Sequence, residues 1–305
     1  MRPDVMDRLE SIGMMDPDDN ENVKKQSPFL EVLKRLAQNK IAVAGLIIVI
    51  VFALIAIFAP FLTTYDPVAI NLKGKNLGPM VAGHICGTDS MGRDIFSRLI
   101  YGARYSLGLG FASVVVGLIA GIILGCVAGY FGGVVEELIM RACDVFQAIP
   151  GTLLAIVISA ALGSGFTNTI IALSISRVPF TCRMIRAQFL NQRKLEYVEA
   201  AQAENCSKLA LMFKHILPNT ISPIIVATTM GIGGTIMMAA SLSYIGLGIQ
   251  PPTPEWGAML SDAKAIIRFY PYQALAPGLC IAIIVLALNL FGDGLRDAMD
   301  PKLKN

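Results

Sequence analysis

Ile41 to Leu62 is an unbroken run of 22 residues without a charged side chain. As a helix it would be about 33 Å long, enough to cross a hydrocarbon layer of about 30 Å. Further apolar stretches cover 106–131, 138–162, 166–190, 219–243 and 272–290, so the expected fold class is all-α, a polytopic membrane protein with six transmembrane helices. Composition agrees, because 54% hydrophobic and 15% charged residues leave more apolar surface than a water-soluble core can hold. A soluble enzyme, a disordered chain and a nucleic-acid binder are excluded. The net charge of +3 is too small to argue for a polyanionic partner, and membrane lipid is the expected surrounding.

Six spans divide the chain into a tail (1–40), a first span (41–62), an outer segment (63–105), a core of five spans (106–295) and a short tail (296–305). A long loop interrupts the core at 191–218. With the N-terminus inside, 18 of the 25 Lys and Arg residues fall on the cytoplasmic side, which predicts both termini in the cytoplasm. Residues 63–105 and 244–271 are then external. Arg93, Arg98 and Arg104 sit against that bias and suggest an interfacial helix outside the first long run. The acidic N-terminal stretch is unlike a cleaved leader, so the first span is expected to be retained.

Gly117, Gly121, Gly125 and Gly129 recur every four residues in the second run, which predicts one face of small residues where another helix approaches closely. The third run carries Arg141 and Asp144 near its start. The fourth crowds Arg177, Pro179, Arg183 and Arg186 into its second half, which should approach the cytoplasm.

Chemistry of the chain's own is hard to find. The six cysteines (Cys86, Cys126, Cys143, Cys182, Cys206 and Cys280) show neither CxxC spacing nor histidines at ligand distance, so no metal site is expected and apolar packing is their expected role. His84 and His215 fall in loops. No GxxxxGK[ST] phosphate loop occurs, so ATP is not expected to be hydrolysed by this chain. The spans carry almost no charge, and Arg141, Asp144, Arg177 and Asp293 are expected toward span ends or the cytoplasmic half, which argues against an ion-coupled secondary transporter, the alternative from another functional class.

The loop is more informative. Leu209, Met212, Phe213 and Ile216 recur at helical spacing, which predicts a short amphipathic helix ended by Pro218 and lying on a surface. Glu199, Ala200 and Ala201 precede it. Asn205 stands between the two stretches, where a residue tolerant of positive φ would turn the chain.

Glu199-Ala200-Ala201 followed by Leu217-Pro218 resembles the EAA signature of ABC importer permeases, with Asn205 where that family has Gly. Further stretches look like the C-type permease subunit of dipeptide, oligopeptide and nickel transporters. They are Gly87-Thr-Asp89-Ser-Met-Gly92-Arg93-Asp94, Met140-Arg141 with Asp144, Ser243 to Gly257, Gly292-Asp-Gly294-Leu-Arg296, and Phe58-Ala-Pro60 with Tyr65-Asp66-Pro67. The resemblance covers about 29–301 and implies a type I ABC importer permease fold. It also implies a homologous B-type permease, two ABC ATPase subunits that carry the ATP and Mg, and an external solute-binding protein. The loop 191–218 would be the coupling helix, through Glu199, Ala200, Ala201, Asn205, Leu209, Met212, Phe213, Ile216, Leu217 and Pro218. The implied cargo is a peptide, with nickel or another small solute as the alternative, and the implied place is a bacterial or archaeal cell membrane.

Met230, Met237, Met238, Ser241 and Ser243 on the fifth span are candidate path-lining residues, since flexible thioethers suit a variable cargo. Pro251, Pro252, Pro254 and Trp256 make the segment 244–269 a candidate docking or gating region, with Trp256 suited to a membrane interface. Related chains usually carry a small residue and Trp before Pro where this one has Arg177-Val178-Pro179. That arginine could face the path or snorkel to the cytoplasmic interface, and snorkelling is the expectation.

Overall fold

The computed structural model describes residues 28–299. Those parts of the two tails that lie at 1–27 and 300–305, with Arg2, Arg8, Lys24, Lys25, Lys302 and Lys304, fall outside the described residues. The described residues are mostly helical, with irregular segments chiefly at 63–94 and 245–255, and among them there is no strand, only the isolated bridges Val81 to His84 and Thr88 to Asp94.

Helix α1 (Pro28–Gln38) leads into α2 (Lys40–Ile57), whose first amides are capped by the Asn39 side chain at 3.2 and 3.1 Å. A short turn, Ala59–Leu62, follows, with Pro60 at its start. Helix α3 (Ile95–Phe131) has 37 residues and begins eleven residues before the expected start at Ser106. The reason is Asp94, which caps it by accepting from Ser97 N at 2.7 Å. Arg98 and Arg104 therefore belong to the span's own helix and not to a separate interfacial one.

The expected third span is two helices, α4 (Gly133–Gln147) and α5 (Gly151–Leu162), bent by 86°. Pro150 explains the break, because it donates no amide hydrogen bond and biases Ile149 away from helical geometry. Helix α6 (Phe166–Gln192) follows, then α7 (Glu196–Ala203), three short turns over 208–219, and α8 (Ile221–Tyr244). Short α9 (Trp256–Ala263) and long α10 (Tyr272–Met299) complete the chain. By length and apolarity α2, α3, α8 and α10 can cross a membrane, and the bent pair makes a fifth candidate. Helix α6, the expected fourth span, has 27 residues and carries three arginines.

The glycine ridge is realised. Gly117, Gly121, Gly125 and Gly129 are all buried, and α6 lies directly on them. A Cβ added at Gly125 would stand 2.6 Å from Ile185 Cβ and 2.7 Å from Cys182 O, so only glycine permits this approach. Ion pairs from Arg183 to Asp144 and from Arg186 to Glu136 tie α4 to α6. The six cysteines are free thiols, and Cys126, Cys143 and Cys182 are fully packed.

Candidate functional site

The two ends of the bundle are built differently. At one end, residues 63–94 and 245–271 fold together around buried charge. Arg93 Nε lies 2.6 Å from Asp89 Oδ2, and its other arm lies 2.9 Å from Asp262 Oδ2. Arg98 stands 3.6 Å from Asp89 and donates to the carbonyls of Pro67 and Pro252, both at 3.1 Å. Two of the three arginines against the orientation bias, Arg93 and Arg98, are thus paired, which a count of charges along the chain could not register; Arg104 stays exposed. Two carboxylates with two guanidiniums satisfy one another where each alone would be costly.

Glu255 reinforces this cap. It is buried, accepts from Gly257 N at 2.9 Å and Ala258 N at 2.8 Å, and thereby starts α9. Burial pushes its carboxyl above the usual carboxylate range, against the lowering pull of those amides and of the Ser243 and Ser106 hydroxyls. Trp256 does not sit at a membrane interface. It is 0% exposed, donates from Nε1 to Leu99 O at 3.0 Å, and packs edge-on against Phe52 over Gly102.

At the other end lies the loop. Asn205 has φ of 55°, so the expected left-handed turn is present, with Cys206 N bonded back to Ala201 O at 3.1 Å. The amphipathic face differs from the expected one. Met212 is 1% and Ile216 0% exposed, but Leu209 and Phe213 are 69% and 44% exposed. The cause is a π-helical turn over Leu211–Ile216, which adds a residue per turn and brings Leu211 and Ile216, five apart, to the same side. Pro218 does not end the helix. It occupies the start of the next short turn, Leu217–Asn219, where its missing amide costs nothing, and the real break is at Thr220.

Val198, Ala201, Leu211, Met212 and Ile216 bury themselves with Cys126, Ile185 and Phe189 of α3 and α6. Val198 and Leu211 are anchors that the sequence pattern missed: Val198 lies on α7, three residues before buried Ala201, and Leu211 falls off the α-helical stripe of the loop. The opposite side presents Glu199, Ala200, Leu209, Phe213 and Pro218 to solvent, with Asn205 exposed at the turn and Leu217 half-buried. The loop is therefore a ridge carrying a carboxylate and two large apolar side chains, fixed from below by a packed base.

The path-lining candidates Met230, Met237, Met238, Ser241 and Ser243 all lie on α8. Met237 is exposed, Met230 and Met238 are half-buried, and exposed Ser241 bonds its own helix at Met237 O. Ser243 is the exception. It is buried and accepts from Ile249 N at 3.1 Å inside the charged cap, so it holds the outer segment. Arg177 does not run along its own helix to an interface; it reaches across to the Ala227 and Gly231 carbonyls of α8 at 3.2 and 3.4 Å. Among the described residues no group of three or more His, Cys, Asp or Glu side chains is placed to hold a metal ion.

Fold and site together define a multi-pass membrane protein with a rigid loop ridge at one end and a charge-locked cap at the other. The chain belongs to the family described as binding-protein-dependent transport system inner membrane component, whose model matches residues 121–305. Residues 27–79 match the N-terminal TM domain of oligopeptide transport permease C. It is 47% identical over 279 residues to a dipeptide transport system permease protein of Alkalihalophilus pseudofirmus, covering 92% of this chain and 91% of the other. It is 44% identical over 281 residues to a glutathione transport system permease protein of Pectobacterium atrosepticum, covering 92% and 93%. In fold it is similar to the MetNI methionine ABC transporter, with a TM-score of 0.55 at 17% identity, covering 68% of this chain and 98% of the other.

Proposed function

We propose that this chain is the C-type permease subunit of an ATP-driven importer of peptides, and that the ridge at 191–218 is where ATP-dependent motion enters it. The carrying observation is the loop itself: Glu199, Ala200, Leu209 and Phe213 stand exposed on a base of fully buried anchors. Exposed large apolar residues on such a stiff base suit a protein partner, and Val198, Met212 and Ile216 pass any push from it directly to α3 and α6. Relatives named for dipeptide and glutathione transport support peptide as cargo over nickel, another small solute or an ion-coupled mechanism.

In this reading both termini and the loop are cytoplasmic, the charged cap is external, and the protein resides in a bacterial or archaeal cell membrane. A homologous B-type permease completes the path, an external solute-binding protein delivers cargo to the cap, and two ATPase subunits grip the ridge. ATP and Mg stay with those subunits; this chain binds no cofactor and has no catalytic residue of its own. Met230, Met237, Met238 and Ser241 border the path. Closure of the ATPases rocks α3 and α6 as one body, because the glycine ridge leaves no compliant layer between them.

Glu199→Lys tests the reading in the assembled complex. It should leave insertion into the membrane intact and abolish ATP-driven uptake of labelled dipeptides. Normal uptake would sink the coupling role of the ridge.

A further inference from the structure

Between α5, α6 and α8 an open cavity of about 310 Å³ is lined by, among others, Ser176, Arg177, Gly231, Gly234, Thr235 and Met238. Arg177 stands eleven residues into α6, about 16 Å along its axis, and Gly231 ten residues into α8, about 15 Å along. The cavity is thus level with the middle of both helices. Most of that lining is apolar, Leu173, Phe180 and Met238 among it, and the Arg177 guanidinium is the one charge that opens on it; a charged group at that depth calls for water or a polar ligand.

The arginine is oriented without being neutralised. Its two terminal nitrogens each donate to a carbonyl of α8, which leaves three of the five guanidinium N–H groups for another acceptor. Arg93, Arg98, Arg183 and Arg186 each have a carboxylate within ion-pair reach. Among the described residues Arg177 has none. Gly231 makes the posture possible, since a Cβ there would overlap the guanidinium. A fixed planar cation opening on a cavity, with its charge unmatched, is complementary to a carboxylate.

We propose that Arg177 is a carboxylate-recognition site within the membrane, taking the C-terminal carboxylate of a peptide as it passes between α6 and α8. The proposal rests on the peptide-import reading, whose cargo always carries that group. It turns a departure from the family's sequence pattern into a selectivity element of this chain.

The test is uptake by the full complex in proteoliposomes, using a set of di- and tripeptides and the matching C-terminal amides. Wild type and Arg177→Gln are compared through the acid-to-amide uptake ratio, so that any discrimination by the external binding protein cancels. Loss of one charge-assisted contact should lower the ratio roughly ten- to hundred-fold. Gly231→Ala, which keeps the charge but evicts the guanidinium, should lower it in the same direction and guards against a folding defect in the first variant. An unchanged ratio in both variants overturns the site and leaves peptide import standing. If the wild type moves neither acids nor amides with ATP, peptide import falls and this site with it.

Discussion

The capped end and the loop end of this molecule use opposite means to become rigid. The cap closes two segments far apart in sequence with buried charge, Asp89 and Asp262 against Arg93 and Arg98. The loop is pinned chiefly by apolar side chains, and its carboxylates Glu196, Glu199 and Glu204 are all exposed, away from that base. Buried ion pairs demand one geometry, because a misplaced partner leaves an unpaired charge in a dry place. Apolar contacts tolerate small sliding. The cap is thus built to keep its shape and the loop to transmit displacement without dissolving.

Three changes would break or sharpen that contrast. Arg93→Ala should have the largest effect, since it leaves Asp89 and Asp262 only the longer contacts to Arg98, at 3.6 and 3.9 Å. A cost of about 3–5 kcal/mol is expected, visible as protease cleavage within 63–94 while the 191–219 loop stays protected. Equal protection of both ends would contradict a charge-locked cap. At the loop, Met212→Ala should cost about 2–5 kcal/mol as a buried truncation, whereas Leu209→Ser or Phe213→Ser should stay within about 0.5 kcal/mol. Thermal unfolding of the purified complex measures the difference, and comparable losses at Met212 and Phe213 would remove the distinction between base and ridge.

The smallest effect concerns Glu255. Its carboxyl is raised in the folded protein by burial, so its contribution is fully present below the ordinary carboxylate range and is lost as pH climbs through the raised value. The protection of the Gly257 and Ala258 amides, measured as exchange relative to the unstructured rate at each pH, should therefore fall as pH rises above the ordinary carboxylate range. Glu255→Gln should flatten that dependence, and an identical slope in the variant would assign it to another group.

How far the sequence foretold these features depends on the distance over which each is encoded. The glycine ridge was legible because Gly117 to Gly129 repeat at the helix's own period and need only one facing helix. Asn205 was legible because few residues accept its backbone conformation. The bend between α4 and α5 was signalled by Pro150, although the apolar run across it suggested a continuous helix. The rotated face of the loop was not legible, since a π turn changes the period on which the stripe was drawn. Nor was the cap: Arg93 and Asp262 are 169 positions apart, and nothing local to either marks the other. The true neighbours of Arg177 were hidden for the same reason, because Ala227 and Gly231 meet it only across a helix interface.

The bend at Pro150 also bears on how the chain enters a membrane. At 15 and 12 residues, α4 and α5 are about 22 and 18 Å long, and neither alone spans a bilayer of about 30 Å. The next helix, α6, carries three arginines. A ribosome delivering this chain presents, after α3, some sixty residues in which no single helix is both long and apolar enough to span, and only the bent pair together makes a candidate. They have to wait for a template, and the glycine face of α3 is the surface already in place to receive them. A bulky residue at Gly121 or Gly125, where an added Cβ would meet α6 at under 3 Å, is then expected to impair assembly before any transporter exists to be inhibited.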